Sequence, residues 1–144
     1  MPNLVLDTNV ALDLLVFRDP SAAPLQQALA RRSVRWIATP AMRDEFERVL
    51  GYPPITARLA LLGATAQQML DAFDGHVCLV DPAARAPLAC SDPDDQPFID
   101  LAVQHACMLL SKDAAVLALR ARLAALQVTA GAVLPPSSYS LSQP

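Results

Sequence analysis

Glycine occurs only four times, and none of the four follows the first apolar run of the chain. A nucleotide-binding Rossmann unit needs a G-x-G-x-x-G turn there, because only glycine lets the backbone come close to a pyrophosphate, so that class is excluded. Cysteine is scarcer: Cys78, Cys90 and Cys107 are odd in number and show no C-x-x-C spacing. They read as reduced, partly buried thiols, not as a disulfide framework or a zinc site. The two histidines, His76 and His105, lie far apart and beside no acidic block, so surface or core positions are expected for both. Lys112 is the only lysine, and 11 basic residues face 14 acidic ones for a net charge of −3. No overall field draws in a polyanion, which argues against a sequence-independent nucleic-acid coat. Arg31, Arg32 and Arg35 form the only basic cluster and read as a solvated face, with a phosphate-gripping patch as the sharper alternative. No apolar run approaches the roughly 20 residues of a membrane span. Met1-Pro2-Asn3 does not open a basic-then-apolar leader. A cytoplasmic protein with no membrane partner is expected.

What is present is 144 residues, 53% hydrophobic and rich in Ala and Leu, the size and composition of one packed domain. The domain is expected over residues 1–134, with a loose Ser/Pro tail at 135–144. Asn3 to Leu6 reads as a strand, Val10 to Phe17 as a helix, Ala22 to Arg32 as a second helix and Val34 to Ala38 as strand two. Thr39-Pro40 signals a helix start, running to Leu50, where Gly51-Tyr52-Pro53-Pro54 stops it. Helical segments follow at Thr56 to Leu62 and Thr65 to Phe73, then an Asp74-Gly75 turn and a strand at His76 to Val80. Asp81 to Pro93 carries three prolines and reads as loop. Asp95 to Cys107 is helical, Met108 to Ser111 a strand, Ala114 to Leu126 a helix and Val128 to Leu134 a last edge strand. Strands alternating with helices need crossovers, which implies a sheet with helices on both faces. Trp36, Phe46, Phe73 and Phe98 fall on element faces and read as core.

In such sheets ligands sit outside the carboxyl ends of the strands, and the acids fall there. Asp7 ends strand one, Asp113 follows strand four, and Asp95 opens the helix that feeds strand four. Glu45 lies beside the apolar stripe of Met42, Phe46, Val49 and Leu50, so it leans over the same edge. Carboxylates brought together repel, and a cation resolves the repulsion. With oxygen ligands and no matching Cys or His, that cation is Mg2+ or Mn2+, which lowers the pKa of a bound water and neutralises a leaving oxygen in phosphodiester hydrolysis. Each acid has a plainer reading: Asp7, Asp95 and Asp113 as helix caps, and Glu45 as a surface partner of Arg48. A phosphoacceptor module would use Asp7, Asp81 and Lys112, but it leaves Glu45 and Asp95 idle.

Four blocks, Val5-Leu6-Asp7-Thr8-Asn9-Val10, Thr39 with Glu45, Asp92-Pro93-Asp94-Asp95 leading into Phe98-Ile99-Asp100-Leu101-Ala102, and Leu109-Leu110-Ser111-Lys112-Asp113, resemble the PIN-domain family in order and spacing. The resemblance is closest to the predicted toxins of type II toxin–antitoxin pairs (VapC-type). It implies a three-layer α/β/α sandwich around a mainly parallel four- to five-stranded sheet. It also implies that Asp7, Glu45, Asp95 and Asp113 are catalytic acids binding Mg2+ or Mn2+, oriented by Thr8 or Asn9, with Ser111 where the family usually has threonine. Asp92 and Asp94 are extra acids able to share the ligand role, and Arg43, Arg48 and Lys112 are candidates for meeting RNA. The implied activity is endonucleolytic cleavage of single-stranded RNA leaving a 5′-phosphate and a 3′-hydroxyl. A cognate antitoxin and a homodimer are the implied protein partners. The alternative is a PIN-like protein that binds RNA or a partner without cutting.

Overall fold

The computed structural model describes residues 1–135. Strands β1 (Asn3–Leu6), β2 (Arg35–Ala38), β3 (Val77–Leu79), β4 (Met108–Leu110) and β5 (Ala130–Gly131) form one sheet in the order β3-β2-β1-β4-β5, with every neighbouring pair parallel. Consecutive residues Leu4, Val5 and Leu6 are all buried. Successive strand side chains point to opposite faces, so the sheet centre is covered on both. The cover comes from α1 (Thr8–Leu12), α2 (Ala23–Ala30), α3 (Pro40–Leu50), α4 (Pro53–Leu62), α5 (Ala66–His76), α6 (Gln96–His105), α7 (Ala114–Leu117) and α8 (Arg120–Ala125). This is the expected α/β/α sandwich, with five strands. Among the described residues no helix is long and apolar enough to cross a membrane.

The strand order reverses at β1: the chain adds β2 and β3 on one side, then returns to add β4 and β5 on the other. Connections leaving β1 and β4 diverge at such a switch point and open a crevice at their carboxyl ends. The Asp7 amide donates to the Leu110 carbonyl at 3.1 Å, which carries the β1–β4 ladder one residue beyond β1 and fixes Asp7 at the crevice. Below it, the fully buried Ile99, Leu101 and Ala102 seat α6 on β1 and β4. Trp36 and Phe46 each lie 5.0 Å from Phe73, edge-on and stacked respectively, a geometry that favours aromatic pairs. With Phe98, these rings are core, as expected.

Several elements depart from the sequence reading for local physical reasons. Pro53-Pro54 does not merely stop α3 but opens α4, since proline is tolerated in a first turn whose N–H groups have no helical partner. The helix after β1 widens at Asp13 into a π-turn over Asp13–Phe17, closed by Arg18 in the left-handed region. Asp74-Gly75 is no turn: α5 continues through it to His76, and Asp74 is gripped by Arg43 of α3. The Ala114 to Leu126 helix breaks at Leu119 (φ −94, ψ 5) into α7 and α8, and both pieces pack on β5 with Val116 and Leu123 buried. The last strand shrinks to the two residues that pair with β4. Cys78 is exposed because it lies on edge strand β3. Of the tail expected at 135–144, residues 136–144 lie outside the described residues.

Candidate metal centre

The crevice at the switch point is an open cleft of about 380 Å³, and six carboxylates line it: Asp7, Glu45, Asp92, Asp94, Asp95 and Asp113. No lysine, arginine or histidine is among its lining residues. Asp92, Asp95 and Asp113 each offer an oxygen within 4.8 Å of the others. The tightest group is therefore a trio that includes Asp92, the extra acid, with Asp7 and Glu45 on the same walls.

Each acid is aimed by its local structure. Asp7 caps α1, accepting from the Val10 amide at 2.8 Å through Oδ1, while Oδ2 accepts from the Ser111 hydroxyl at 2.5 Å. The same Ser111 Oγ accepts from the Asp113 amide at 3.1 Å. This completely buried hydroxyl thus ties the acid after β1 to the acid after β4. Asp113 also caps α7 through the Ala115 amide at 2.9 Å. Capping and a place in the cleft are compatible, because a carboxylate has more acceptor positions than a cap uses. Glu45 stands next to the buried Phe46 on α3 and accepts from the Thr8 hydroxyl, so its partner is Thr8 and not Arg48. Asn9 lines the cleft but makes no side-chain hydrogen bond to an acid among the described residues. Asp92 Oδ1 accepts from the Asp94 amide at 2.9 Å.

Asp95 behaves differently. It stands at the start of α6 with helical backbone angles (φ −88, ψ −15) and makes no cap bond, and its Oδ2 is buried without a partner. Burial, then the neighbouring Asp113 carboxyl, then the charges of Asp92 and Asp7, push its pKa up to about 7. The Asp7 carboxyl is also raised, chiefly by burial, with the bonds from Ser111 and Val10 opposing. A buried acceptor with no donor is costly, and here it faces two more carboxylates. An all-oxygen set with one orphaned buried oxygen fits a hard divalent cation.

The three basic candidates lie outside the cleft lining. Arg43 holds Asp74 with two bonds of 2.7 and 2.9 Å, an interaction that raises the pKa of the guanidinium and lowers that of the carboxyl. Lys112 pairs with Asp13, and that bond is the main cause of its raised pKa. Arg48 is exposed on α3. His76 is exposed and His105 half-buried, and neither lines the cleft.

The loop that delivers Asp92 is pinned by a row of side chains that sequence reasoning missed. Gln104 Oε1 accepts from the Ala84 amide (3.1 Å), Asp100 Oδ1 from the Ala86 amide (2.9 Å) and Gln96 Oε1 from the Cys90 amide (2.7 Å). Gln96 Nε2 donates to the Leu88 carbonyl (3.0 Å) and to Asp100 (2.7 Å). Positions 96, 100 and 104 form one stripe of α6 with steps of about 6 Å. Two residues of extended chain advance about 6.6 Å, so alternate loop residues meet successive helical turns. The polar i, i+4, i+8 pattern opposite a proline-rich segment was the available signal. Asp100→Ala removes two of these bonds, and the expected result is a loss of about 1 kcal/mol with faster hydrogen–deuterium exchange at Ala86 and Cys90. Unchanged exchange in a peptide covering 81–91 would show that the stripe does not hold the loop.

Comparison with known proteins bears on the fold. The family described as the PIN domain matches residues 3–115. Among solved structures, the fold resembles that of VapBC2 from Rickettsia felis, in a crystal structure bound to a DNA fragment from their promoter. The TM-score is 0.61 and the identity 12%, covering 89% of this chain and 96% of that one. At that identity the likeness speaks for the fold alone. No curated protein matches the sequence.

Proposed function

Because the chain belongs to the PIN-domain family, we propose that its acidic cleft binds Mg2+ or Mn2+ and hydrolyses phosphodiester bonds in single-stranded RNA. The observation that carries the reading is the partnerless buried oxygen of Asp95, set among Asp92 and Asp113. In this reading Asp92, Asp95 and Asp113 hold the ion, with Asp7 and Glu45 completing the acidic wall. When bound, the ion supplies an activated water and neutralises charge developing on the phosphate.

The chain's own residues prepare the site. Ser111 keeps Asp7 and Asp113 at a fixed spacing. Thr8 turns Glu45 inward from α3. The Gln96–Asp100 pair holds the loop that carries Asp92. A cleft walled by acids repels RNA until its charge is neutralised, so substrate binding should itself depend on the ion. Arg43 and Lys112 are already committed to acids, which leaves Arg48 as the freest of the three rim candidates.

The role of toxin in a toxin–antitoxin pair, with a small protein occupying the acidic cleft, rests on the sequence resemblance and on the likeness of fold to VapBC2. Homodimerisation rests on the family resemblance, and a cytoplasmic location on the cysteine usage and the lack of a leader or membrane span expected from the sequence. The direct test incubates purified protein with end-labelled single-stranded RNA in Mn2+, Mg2+ or EDTA and maps the product ends. Metal-dependent cuts leaving a 5′-phosphate and a 3′-hydroxyl are expected. No cleavage, together with no effect of Mn2+ on melting, would remove both the hydrolase and its metal.

A further inference from the structure

Six large apolar side chains are exposed among the described residues: Met1, Phe17, Tyr52, Leu61, Leu79 and Val133. Of these, only Tyr52 lines the acidic cleft, where it shares a wall with Leu12, Val49, Pro54 and Ile55. The cleft therefore has two chemistries side by side, a bank of carboxylates and an apolar shelf headed by a half-exposed aromatic ring. The ring's mount is firm. The Tyr52 amide donates to the Val49 carbonyl at 3.0 Å, and its own carbonyl accepts from the Ile55 and Thr56 amides at 2.9 Å each. Its backbone is extended (φ −73, ψ 144), as a residue preceding proline requires. Pro53 and Pro54 then restrict the chain beyond it. The backbone beneath the ring is thus fixed, while the side chain stays about half exposed (48%) at the cleft.

We propose that Tyr52 is a stacking platform for an unpaired nucleobase next to the phosphate at the acidic centre. The inference rests on the hydrolase reading and adds how the strand is held. A nucleotide joins a flat apolar base to an anionic phosphate, and the cleft offers a flat apolar ring beside a cation-demanding acid cluster. A basic protein segment, as in the toxin–antitoxin reading, would cover the same shelf and carboxylates, but a hydrolase must seat its RNA beside the acids whether or not an inhibitor also docks there. Stacking accepts every base, because each has a π-face. The shelf therefore selects single strands over duplexes and gives little sequence preference.

The test uses the full chain, Mn2+ and an eight-nucleotide oligouridine with phosphorothioate linkages, beside an oligomer of the same length and linkages lacking bases. Tyr52→Ala should bind oligouridine roughly 5- to 100-fold more weakly than the parent, whereas Tyr52→Phe and Tyr52→Trp should bind it nearly as well. Parent and Tyr52→Ala should bind the abasic oligomer alike. Equal binding of oligouridine by parent and Tyr52→Ala, with RNA still cleaved, overturns the platform and leaves the hydrolase standing. An equal loss on the abasic oligomer overturns it too, because the contact would then not be to a base. If the parent neither binds nor cuts RNA although Mn2+ raises its melting temperature, the hydrolase reading falls and the platform with it.

Discussion

Asp95→Asn is expected to lose RNA cleavage by about 10²- to 10⁴-fold, the range seen when a group acting on the reacting proton or metal is removed. The substitution is nearly isosteric, and Asp95 makes no cap bond, so the helix start has nothing to lose. That separates the two readings of this residue. If the acids were only helix ends, Asp95→Asn would be silent, while Asp7→Ala and Asp113→Ala would weaken α1 and α7 by removing their caps. A metal centre predicts the reverse emphasis, with Asp95→Asn inactive and well folded. Ser111→Ala should follow at about 10- to 100-fold, since it frees Asp7 and Asp113 from their common hydroxyl, and Ser111→Thr should retain activity. Initial rates at saturating Mn2+, with circular dichroism as a folding control, decide the matter. Full activity in Asp95→Asn would remove this residue from the centre.

The second large effect is on stability in metal-free solution. The Asp95 carboxyl has a pKa near 3.8 when unperturbed and about 7 in the folded protein. Between these values the folded state keeps a proton that the unfolded state has released. The stabilisation from this group is therefore fully present below about pH 4, declines as pH rises toward 7 and is gone above it. The slope is opposite to that of a salt-bridged aspartate, and the buried Asp7 adds to it in the same direction. The cleft is open to water, which screens the charges, so a contribution of about 1–2 kcal/mol is expected, or roughly 2–8 °C in melting temperature. Asp95→Asn should melt higher than the parent at pH 7.5 in EDTA and show a flatter pH profile. Mn2+ at 100 times its dissociation constant should raise the parent by about 2.7 kcal/mol and the variant by much less. A parent that is more stable at pH 7.5 than at pH 5 without metal would contradict the proposed repulsion.

The acids were legible because a parallel sheet gathers strand ends. Asp7 and Asp113 follow strands, and Asp95 begins a helix, so alternation alone placed them at one edge. Glu45 was legible from its place beside the apolar stripe of α3. Less legible was which acids stand closest, because Asp92 reaches Asp95 and Asp113 by the path of an irregular loop, and a loop has no periodicity to extrapolate. Tyr52 was hidden for a similar reason: Gly51-Tyr52-Pro53-Pro54 signalled a stop, and the same prolines that end one helix begin the next. The Asp74-Gly75 turn failed because Arg43, 31 residues earlier, reaches across to Asp74. The unbroken helix expected over Ala114 to Leu126 failed because Ala, Leu and Arg all favour helix, and packing of both halves on β5 overrode that preference.

The row Gln96, Asp100 and Gln104 acts as a ruler laid against the loop. It fixes the chain from Ala84 to Cys90, because Ala84, Ala86 and Leu88 meet successive turns of the helix and Cys90 is held by the last of them. It says nothing of the chain between Val80 and Ala84. Extra residues inserted there would bulge into solvent and leave the acids in place, whereas a single deletion between Ala86 and Cys90 would throw every later notch out of step.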